Sequence, residues 1–88
     1  MIEKTFTVLN KMGLHARPAA MFVQTTHKFQ SHITVEKDGQ EVDGKSIMGI
    51  LTLAAESGAQ LKITADGPDE AEFLAAMESL FQRKFDED

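Results

Sequence analysis

The sequence predicts an α+β fold in which helices pack on one face of an antiparallel β-sheet. Four stretches alternate apolar and polar residues, as half-buried strands do, and three others repeat their apolar residues with the period of a helix. In chain order these stretches read βαββαβα. The dipeptide Asp38-Gly39 between the second and third strands is a strong hairpin signal, so these two strands should be antiparallel neighbours.

The first strand and the first helix frame a short loop. Apolar residues alternate with polar ones over residues 2–8, which predicts the strand, and residues 10–14 form the loop. From residue 16 to about residue 28 the period is helical. The face expected to be buried holds Ala19, Phe22, Val23 and Thr26, and the opposite face holds Arg17, Met21, Gln24 and Lys28. Met21 is therefore an apolar residue on the polar face of this helix.

The middle of the chain predicts a hairpin followed by a short helix. Residues 33–36 and 40–42 alternate as the two strands of the hairpin. Ser46 should cap a helix that runs from residue 47 to about residue 55 and is closed by Gly58. Periodicity alone would bury four residues of this helix together: Ile47, Ile50, Leu51 and Ala54.

The last part of the chain predicts one strand and one longer helix. Residues 60–65 alternate as the strand, and the helix opens at Pro68-Asp69-Glu70, where acidic groups meet the positive end of the helix dipole. Arg83-Lys84 should complement the other end. The apolar stripe of this helix consists of Phe73, Leu74, Met77, Leu80 and Phe81. We expect the acidic stretch Asp86-Glu87-Asp88 that follows to be frayed.

Composition and charge argue against several classes of function. The chain has a formal net charge of −5, which disfavours a nucleic-acid backbone as its partner. It has no cysteine, so neither disulfides nor thiolate zinc sites are expected. No secretory segment and no long apolar run are present, so we expect a cytoplasmic protein without membrane insertion. We expect the 88 residues to form one domain, 1–88.

The stretch with the clearest chemistry covers residues 12–20 and places His15 directly before the first helix. A helix N-terminus carries unpaired N–H groups and a positive dipole end, so it attracts anions such as phosphate. Pro18 suits the first turn and leaves the N–H groups of Ala16 and Arg17 to face a ligand. His15 can act as a neutral nucleophile, and Arg17 is a permanent cation whose fork fits phosphate. The pattern predicts a phosphoryl group carried on His15, although a solvated surface histidine would share these local features.

Two strings in the sequence resemble one known family. Gly-Leu-His-Ala-Arg-Pro-Ala at residues 13–19 resembles the active-site signature of the histidine-containing phosphocarrier (HPr) family, which belongs to the bacterial phosphoenolpyruvate-dependent sugar phosphotransferase system. Lys-Ser-Ile-Met-Gly at residues 45–49 resembles a second family string at the matching distance. The resemblance covers essentially the whole chain. It implies an open-faced β-sandwich, with a four-stranded antiparallel sheet and three helices on one face.

The resemblance also implies a function. Enzyme I, itself phosphorylated by phosphoenolpyruvate, would pass its phosphoryl group to His15, which would hand it to sugar-specific IIA domains. Ala16 and Arg17 would hold the phosphate through their N–H groups, and the Arg17 guanidinium would assist. Such a carrier needs no cofactor and is not an enzyme by itself.

Ser46 has two interpretations. It is explained as a helix N-cap, the commonest role of serine at such a position. In the phosphocarriers of many Gram-positive bacteria, however, this serine is the target of a regulatory kinase. The resemblance therefore adds a serine kinase/phosphorylase and a transcription regulator to the candidate partners.

An apolar partner-binding surface is implied beside the site. By the resemblance, Ile47, Met48 and Leu51 lie partly exposed, whereas periodicity would bury two of them. Methionine suits surfaces that accept several partners because it repacks easily. The expected partner-binding residues are Met21, Ile47, Met48 and Leu51. The resemblance also turns Ile50 and Leu53 inward.

Other functions stay open at the level of the sequence. One is a carrier of the nitrogen-related phosphotransferase branch, whose target is regulatory. Another is a binding module that docks through phosphorylated Ser46, with His15 secondary. A hydrolytic enzyme is disfavoured, because no second acid/base group or metal cluster accompanies His15. His27 and His32 have no partner at metal-ligand spacing, so we expect no metal, and we expect a monomer.

Overall fold

Four strands and three helices follow one another in the predicted order βαββαβα. A computed structural model describes residues 1–87 of the chain. The elements are β1 (Ile2–Thr7), α1 (Ala16–Thr26), β2 (His32–Lys37), β3 (Gln40–Asp43), α2 (Ile47–Thr52), β4 (Gln60–Asp66) and α3 (Glu70–Gln82), followed by a single turn at Lys84–Asp86. None of the helices within residues 1–87 combines the length and the apolar character that crossing a membrane requires.

The strands form one antiparallel sheet in the order β1-β4-β2-β3. Alternation places one set of side chains on the helical side, and these are buried: Phe6, Ile33, Val35, Leu61, Ile63 and Ala65. The polar residues between them point to the opposite face of the sheet, for example Thr5 on β1 and Lys62, its partner on β4. The predicted open-faced sandwich is confirmed, because helices cover only the apolar face.

Aromatic rings join the helices to the sheet. The ring centroid of Phe81 on α3 lies 4.9 Å from that of Phe6 on β1 and 6.3 Å from that of Phe22 on α1. It also lies 5.0 Å from the ring of Phe85, beyond the end of α3. Aromatic pairs at these separations pack favourably. The cluster therefore fixes α1, α3 and the segment after α3 to one another.

The end of α2 differs from the prediction. The helix ends at Thr52 and not near residue 55, since Ala54 adopts a left-handed conformation with φ of 50°. Gly58 does not close α2. Its N–H group donates to the carbonyl oxygen of Val8 at 2.8 Å, so it belongs to the connection beside β1. The prediction relied on glycine as the usual left-handed residue, but an alanine takes that role here.

The expectation that the acidic stretch after α3 is frayed is wrong for its described part. Phe85 is only 1% exposed, and the chain turns around it in a left-handed conformation at Lys84, Phe85 and Asp86, with φ between 55° and 58°. The Arg83 guanidinium donates to the Asp86 carboxylate at 3.0 Å. Burial of one aromatic ring thus anchors a segment that its charges alone would leave in solvent. Asp88 lies outside the described residues.

Candidate functional site

The loop before α1 is clamped against the connection between α2 and β4. The N–H group of Leu14 donates to the carbonyl oxygen of Ala55 at 2.8 Å. Gly13 has φ of +71°, and a Cβ atom there would lie 2.4 Å from the Ala55 carbonyl oxygen. Inside the loop, the Asn10 side-chain amide donates to the carbonyl oxygen of Gly13 at 2.6 Å. The backbone that carries His15 is therefore held from both sides.

His15 takes the N-cap position of α1, and its side chain does not cap the helix. Its backbone is extended, with φ of −78° and ψ of −167°, and its carbonyl oxygen accepts the N–H of Ala19 at 2.9 Å. Ala16 and Arg17 are the first two helical residues, so neither N–H group has a carbonyl four residues earlier within the helix. Pro18 lies in the first turn, as predicted. The imidazole is 40% exposed and lies at the N-terminus of α1, where the helix favours anions.

Glu87 is the functional contact that the sequence did not indicate. Both oxygens of its carboxylate lie 3.1 Å from Nε2 of His15. The Asn10 side-chain amide also donates to this carboxylate, at 3.3 Å. Glu87 is 72 positions away along the chain, within a stretch interpreted as frayed. One signal was available: Phe85 is an aromatic residue among charged neighbours, which suits an anchor better than a solvated tail.

An open groove of about 840 Å³ lies in front of His15 and the start of α1. It is lined by Lys11, Met12, His15, Ala16, Arg17, Asp86 and Glu87. Arg17 is exposed there, so its guanidinium can turn towards an anion on His15. The carboxylates of Asp86 and Glu87 belong to the same groove, and that of Glu87 lies beside the imidazole. A phosphoryl group in this groove would meet cations and anions together and would stay accessible to solvent and to a partner.

Beside the groove, apolar side chains are exposed. Ile47, Met48 and Leu51 project from α2, with Met48 68% exposed, and Met12 of the site loop is 74% exposed. We call Met12, Ile47, Met48 and Leu51 the apolar patch. A second groove, of about 290 Å³, connects the patch to His15. The patch lies next to the histidine, so a partner that covers one also reaches the other.

Two expectations about this surface need correction. Met21 was expected to be exposed in the patch, but it is half buried and packs against the core from α1. Periodicity was wrong to bury Ile47, Leu51 and Ala54, all of which are exposed. The inward orientation of Ile50 and Leu53 is confirmed. A helix of six residues is too short for its period to identify the buried face.

Ser46 caps α2, as predicted. Its hydroxyl oxygen accepts the N–H of Gly49 at 3.1 Å. The preceding residue is fixed by two contacts: the Lys45 ammonium donates to the carbonyl oxygen of Phe29 at 2.7 Å, and Nε2 of His27 donates to the carbonyl oxygen of Lys45 at 2.8 Å. Ser46 therefore begins the helix that carries most of the apolar patch, and a change there would be felt at the patch.

Comparison with known proteins gives a consistent result. A family model described as "PTS HPr component phosphorylation site" matches residues 2–83. The phosphocarrier protein HPr of Treponema pallidum is 48% identical over 88 residues, covering the whole of both chains. The crystal structure of HPr-C-His from Thermoanaerobacter tengcongensis matches with a TM-score of 0.96 and 51% identity, over 100% of this chain and 99% of that one.

A further similar structure belongs to a protein of a different name. It is that of Crh, the catabolite repression protein of Bacillus subtilis, described as a dimer with a swapped domain. The TM-score is 0.74 and the identity 42%, over 96% of this chain and 97% of that one. The similarity of this chain thus extends to HPr and to an HPr-like protein named for its role in repression.

Proposed function

The chain belongs to the HPr family of phosphotransferase-system phosphocarriers, and we propose that it carries a phosphoryl group on His15 between enzyme I and IIA domains. The observation that carries this proposal is the position of His15 at the N-terminus of α1, with the free N–H groups of Ala16 and Arg17 beside it. The family is one of carriers and not of catalytic enzymes. The chain would act as a covalent intermediate, with no cofactor.

The contact with Glu87 suggests which ring nitrogen reacts. Nε2 of His15 faces the carboxylate, so this nitrogen bears the proton and Nδ1 keeps its lone pair. Nδ1 attacks the phosphorus of phosphorylated enzyme I, the bond between phosphorus and the donor nitrogen breaks, and its electron pair returns to the donor. The N–H groups of Ala16 and Arg17 and the Arg17 guanidinium donate hydrogen bonds to the phosphoryl oxygens. Transfer to a IIA domain is the same exchange in the other direction.

The open groove supports a weakly held phosphoryl group. A carrier must release its cargo, so strong stabilisation of phosphohistidine would oppose its function. The helix N-terminus and Arg17 attract the phosphoryl oxygens, whereas the carboxylates of Asp86 and Glu87 in the same groove repel them. The balance leaves the group bound covalently but ready for transfer.

Labelled phosphoenolpyruvate and enzyme I test the proposal directly. Wild-type protein should take up one label per chain, which is lost in acid and kept in alkali, as expected for a phosphorus–nitrogen bond. His15→Ala should take up none. His32→Ala is the matched control and should label as wild type does, because His32 is exposed on β2, outside the groove. Labelling of His15→Ala at the wild-type rate would overturn the proposal.

A second function is favoured by the similarity to Crh. In it, a serine kinase/phosphorylase would modify Ser46, and the modified protein would dock on a transcription regulator. The nitrogen-related branch is a further variant, with a regulatory acceptor in place of a sugar permease. The two functions separate experimentally: docking through Ser46 should survive His15→Ala, whereas carriage of phosphate should not.

The proposed carrier works as a monomer in the cytoplasm, where enzyme I and IIA domains operate. Support for the monomer comes from the site itself, since His15, Arg17, Glu87 and the apolar patch all belong to one chain. Sedimentation at working concentration should give the mass of one chain. A swapped dimer like that described for Crh would give twice that mass.

A further inference from the structure

We propose that Glu87 is a positioning residue for His15, holding the imidazole with its proton on Nε2 and balancing the charge that the ring acquires during transfer. This inference rests on the proposed function of His15 as phosphoryl carrier. It adds Glu87 to the residues that act at His15. Glu87 belongs to the segment after α3, for which the sequence predicts fraying. A chain of contacts runs from the core to the imidazole.

The contact at the ring is specific in its geometry. Both carboxylate oxygens of Glu87 lie 3.1 Å from Nε2, so it is this nitrogen, and not Nδ1, that makes the hydrogen bond to the carboxylate. The Glu87 side chain is 16% exposed, less than half the 40% of His15. A carboxylate in a chance contact with a surface histidine would have a larger exposed fraction than the 16% of Glu87.

Asn10 makes a second hydrogen bond to the Glu87 carboxylate. Its side chain is fully buried, and its amide nitrogen donates both to the Gly13 carbonyl oxygen and to Glu87. Both neighbours are acceptors, which fixes the orientation of the amide group. The loop that presents His15 therefore also orients the Glu87 carboxylate through Asn10. This couples the position of the carboxylate to that of the imidazole.

The backbone of the segment is fixed by packing. Phe85 is buried against Phe81, and Arg83 holds Asp86. The left-handed conformation at Lys84, Phe85 and Asp86 is unfavourable for residues other than glycine, so it persists only because Phe85 is buried. Glu87 emerges from this turn directly at the imidazole.

The chemistry follows from the placement of charge. When the Nδ1 lone pair forms the bond to phosphorus, the donor's phosphorus–nitrogen bond breaks and the His15 ring becomes an imidazolium. The proton on Nε2 stays where it is, and the carboxylate that faces it offsets the new positive charge. A buried carboxylate behind a histidine has this orienting and charge-balancing role in other nucleophilic sites. Glu87 touches neither the phosphoryl group nor the donor, so it acts through His15.

The test uses potassium phosphoramidate, which phosphorylates histidine without enzyme I and releases ammonia. Three variants are compared with wild type: Glu87→Ala, Glu87→Gln, and the matched control Glu41→Ala, which removes the same charge from the exposed strand β3, outside the groove. Imidazole ¹⁵N shifts report the tautomer of His15, and ³¹P and ¹⁵N spectra of the product report which nitrogen carries phosphorus. Backbone amide spectra establish that each variant is folded.

We expect wild type and Glu41→Ala to show the Nε2–H tautomer and to form only the Nδ1 product. Glu87→Ala should react several-fold more slowly, show exchange between tautomers, and form some Nε2 product, because that nitrogen is no longer covered. Glu87→Gln keeps an acceptor without charge, so it should keep Nδ1 selectivity at an intermediate rate.

Two results would overturn the inference. One is an Nδ1–H tautomer in the wild type. The other is equal slowing by Glu87→Ala and Glu41→Ala with unchanged selectivity, which would mean that Glu87 acts only through the net charge of the protein. Neither readout uses enzyme I. If enzyme I fails to label the wild type, the proposed function fails while the tautomer and the selectivity still decide the role of Glu87.

Discussion

Gly13 is the residue on which the geometry of the site depends most. Its φ of +71° is unfavourable for other residues, and an added Cβ would lie 2.4 Å from the Ala55 carbonyl oxygen and 2.8 Å from the Cα atom of Glu56. Both neighbours are backbone, so the loop itself must move. Gly13→Ala should lower the free energy of unfolding by about 1–3 kcal/mol, measured with urea, and slow phosphorylation of His15 several-fold.

Gly39 provides the control for this substitution. Its φ of +83° is equally left-handed, but an added Cβ meets nothing within 4 Å. Gly39→Ala should therefore lower stability through backbone strain alone and leave the phosphorylation rate unchanged. If Gly13→Ala and Gly39→Ala behave alike in both measurements, the clamp on the site loop is not what positions His15.

At the residue scale, the sequence predicts the local parts of the site and misses the distant one. The positions of His15, Ala16 and Arg17 at the helix start and the cap at Ser46 depend on a few neighbouring residues, which a sequence pattern can show. The contact of Glu87 depends on a left-handed turn held by a buried ring. The aromatic Phe85 among charged residues hints at an anchor, but the contact of Glu87 with His15 forms only when the aromatic cluster is assembled.

Helix α2 carries three of the four residues of the apolar patch. Of these three, Met48 is the most exposed. Met48→Asp should weaken binding of enzyme I, because the partner would have to desolvate a charge. Stability should change by less than about 0.5 kcal/mol, since the side chain is on the surface. Titration calorimetry or surface binding measures the first effect and thermal unfolding the second.

The control for Met48→Asp is Gln40→Asp, which adds the same charge on the exposed hairpin. It should bind enzyme I as wild type does. Normal binding by Met48→Asp would remove this residue from the proposed interface, and so would global unfolding of that variant.

The same helix makes Ser46 a candidate switch. Aspartate caps helices as well as serine does, so Ser46→Asp should keep the melting temperature or raise it slightly. Its charge, however, stands beside Ile47 and Met48, where binding must exclude water. The rate of phosphorylation by enzyme I should fall several-fold. Ser46→Asn keeps the cap without charge and should retain the wild-type rate; equal rates for both variants would leave Ser46 as a helix cap only.

At the scale of elements, type and order are predictable and ends are less so. The strands of the sheet follow from alternation and the hairpin from Asp38-Gly39, because both signals are local. The end of α2 does not follow from a local signal. Ala54 adopts its left-handed conformation where the chain turns towards Ala55, which contacts the site loop. The half-buried position of Met21 likewise depends on how α1 packs against the core, which its place on the helix does not specify.

The whole molecule should be sensitive to acid through the start of α3. The Ser31 hydroxyl donates to Asp69 at 2.5 Å, and the N–H groups of Gln30 and Ser31 donate at 2.9 and 3.0 Å. These bonds hold the pKa of Asp69 below its ordinary value of 3.8. The N–H of Gly67 likewise lowers the pKa of Glu70 below 4.5. A carboxylate with a lowered pKa stabilises the fold above its ordinary value, and this stabilisation is lost as the pH falls through the lowered one.

Asp69→Asn tests this dependence. Its free energy of unfolding should be lower than that of wild type at neutral pH, and the difference should shrink as the pH falls from about 5 downward. Gln40→Asn, on the exposed hairpin, changes no titratable group, so it is the control and should differ from wild type by a constant amount at every pH. A difference for Asp69→Asn that does not change with pH would contradict the role assigned to these bonds.

At the largest scale, the sequence predicts the layered architecture because apolar residues alone decide which face of the sheet is covered. Ile33, Val35 and Ile63 are buried where alternation places them. The apolar stripe of α3 was predicted as well, but its continuation to Phe85 was not, because charged residues separate Phe85 from that stripe. The residue that completes the core is thus also the one that brings Glu87 to the site.

Onward transfer is the measurement that tests the carrier function most directly. Protein labelled on His15 is separated from enzyme I and phosphoenolpyruvate and mixed with a purified IIA domain of the same organism. If the protein is a carrier, label should leave His15 and appear on the IIA domain, with little released as inorganic phosphate. Label that stays on His15, or that is released only as inorganic phosphate, would contradict the claim that this protein is a phosphoryl carrier.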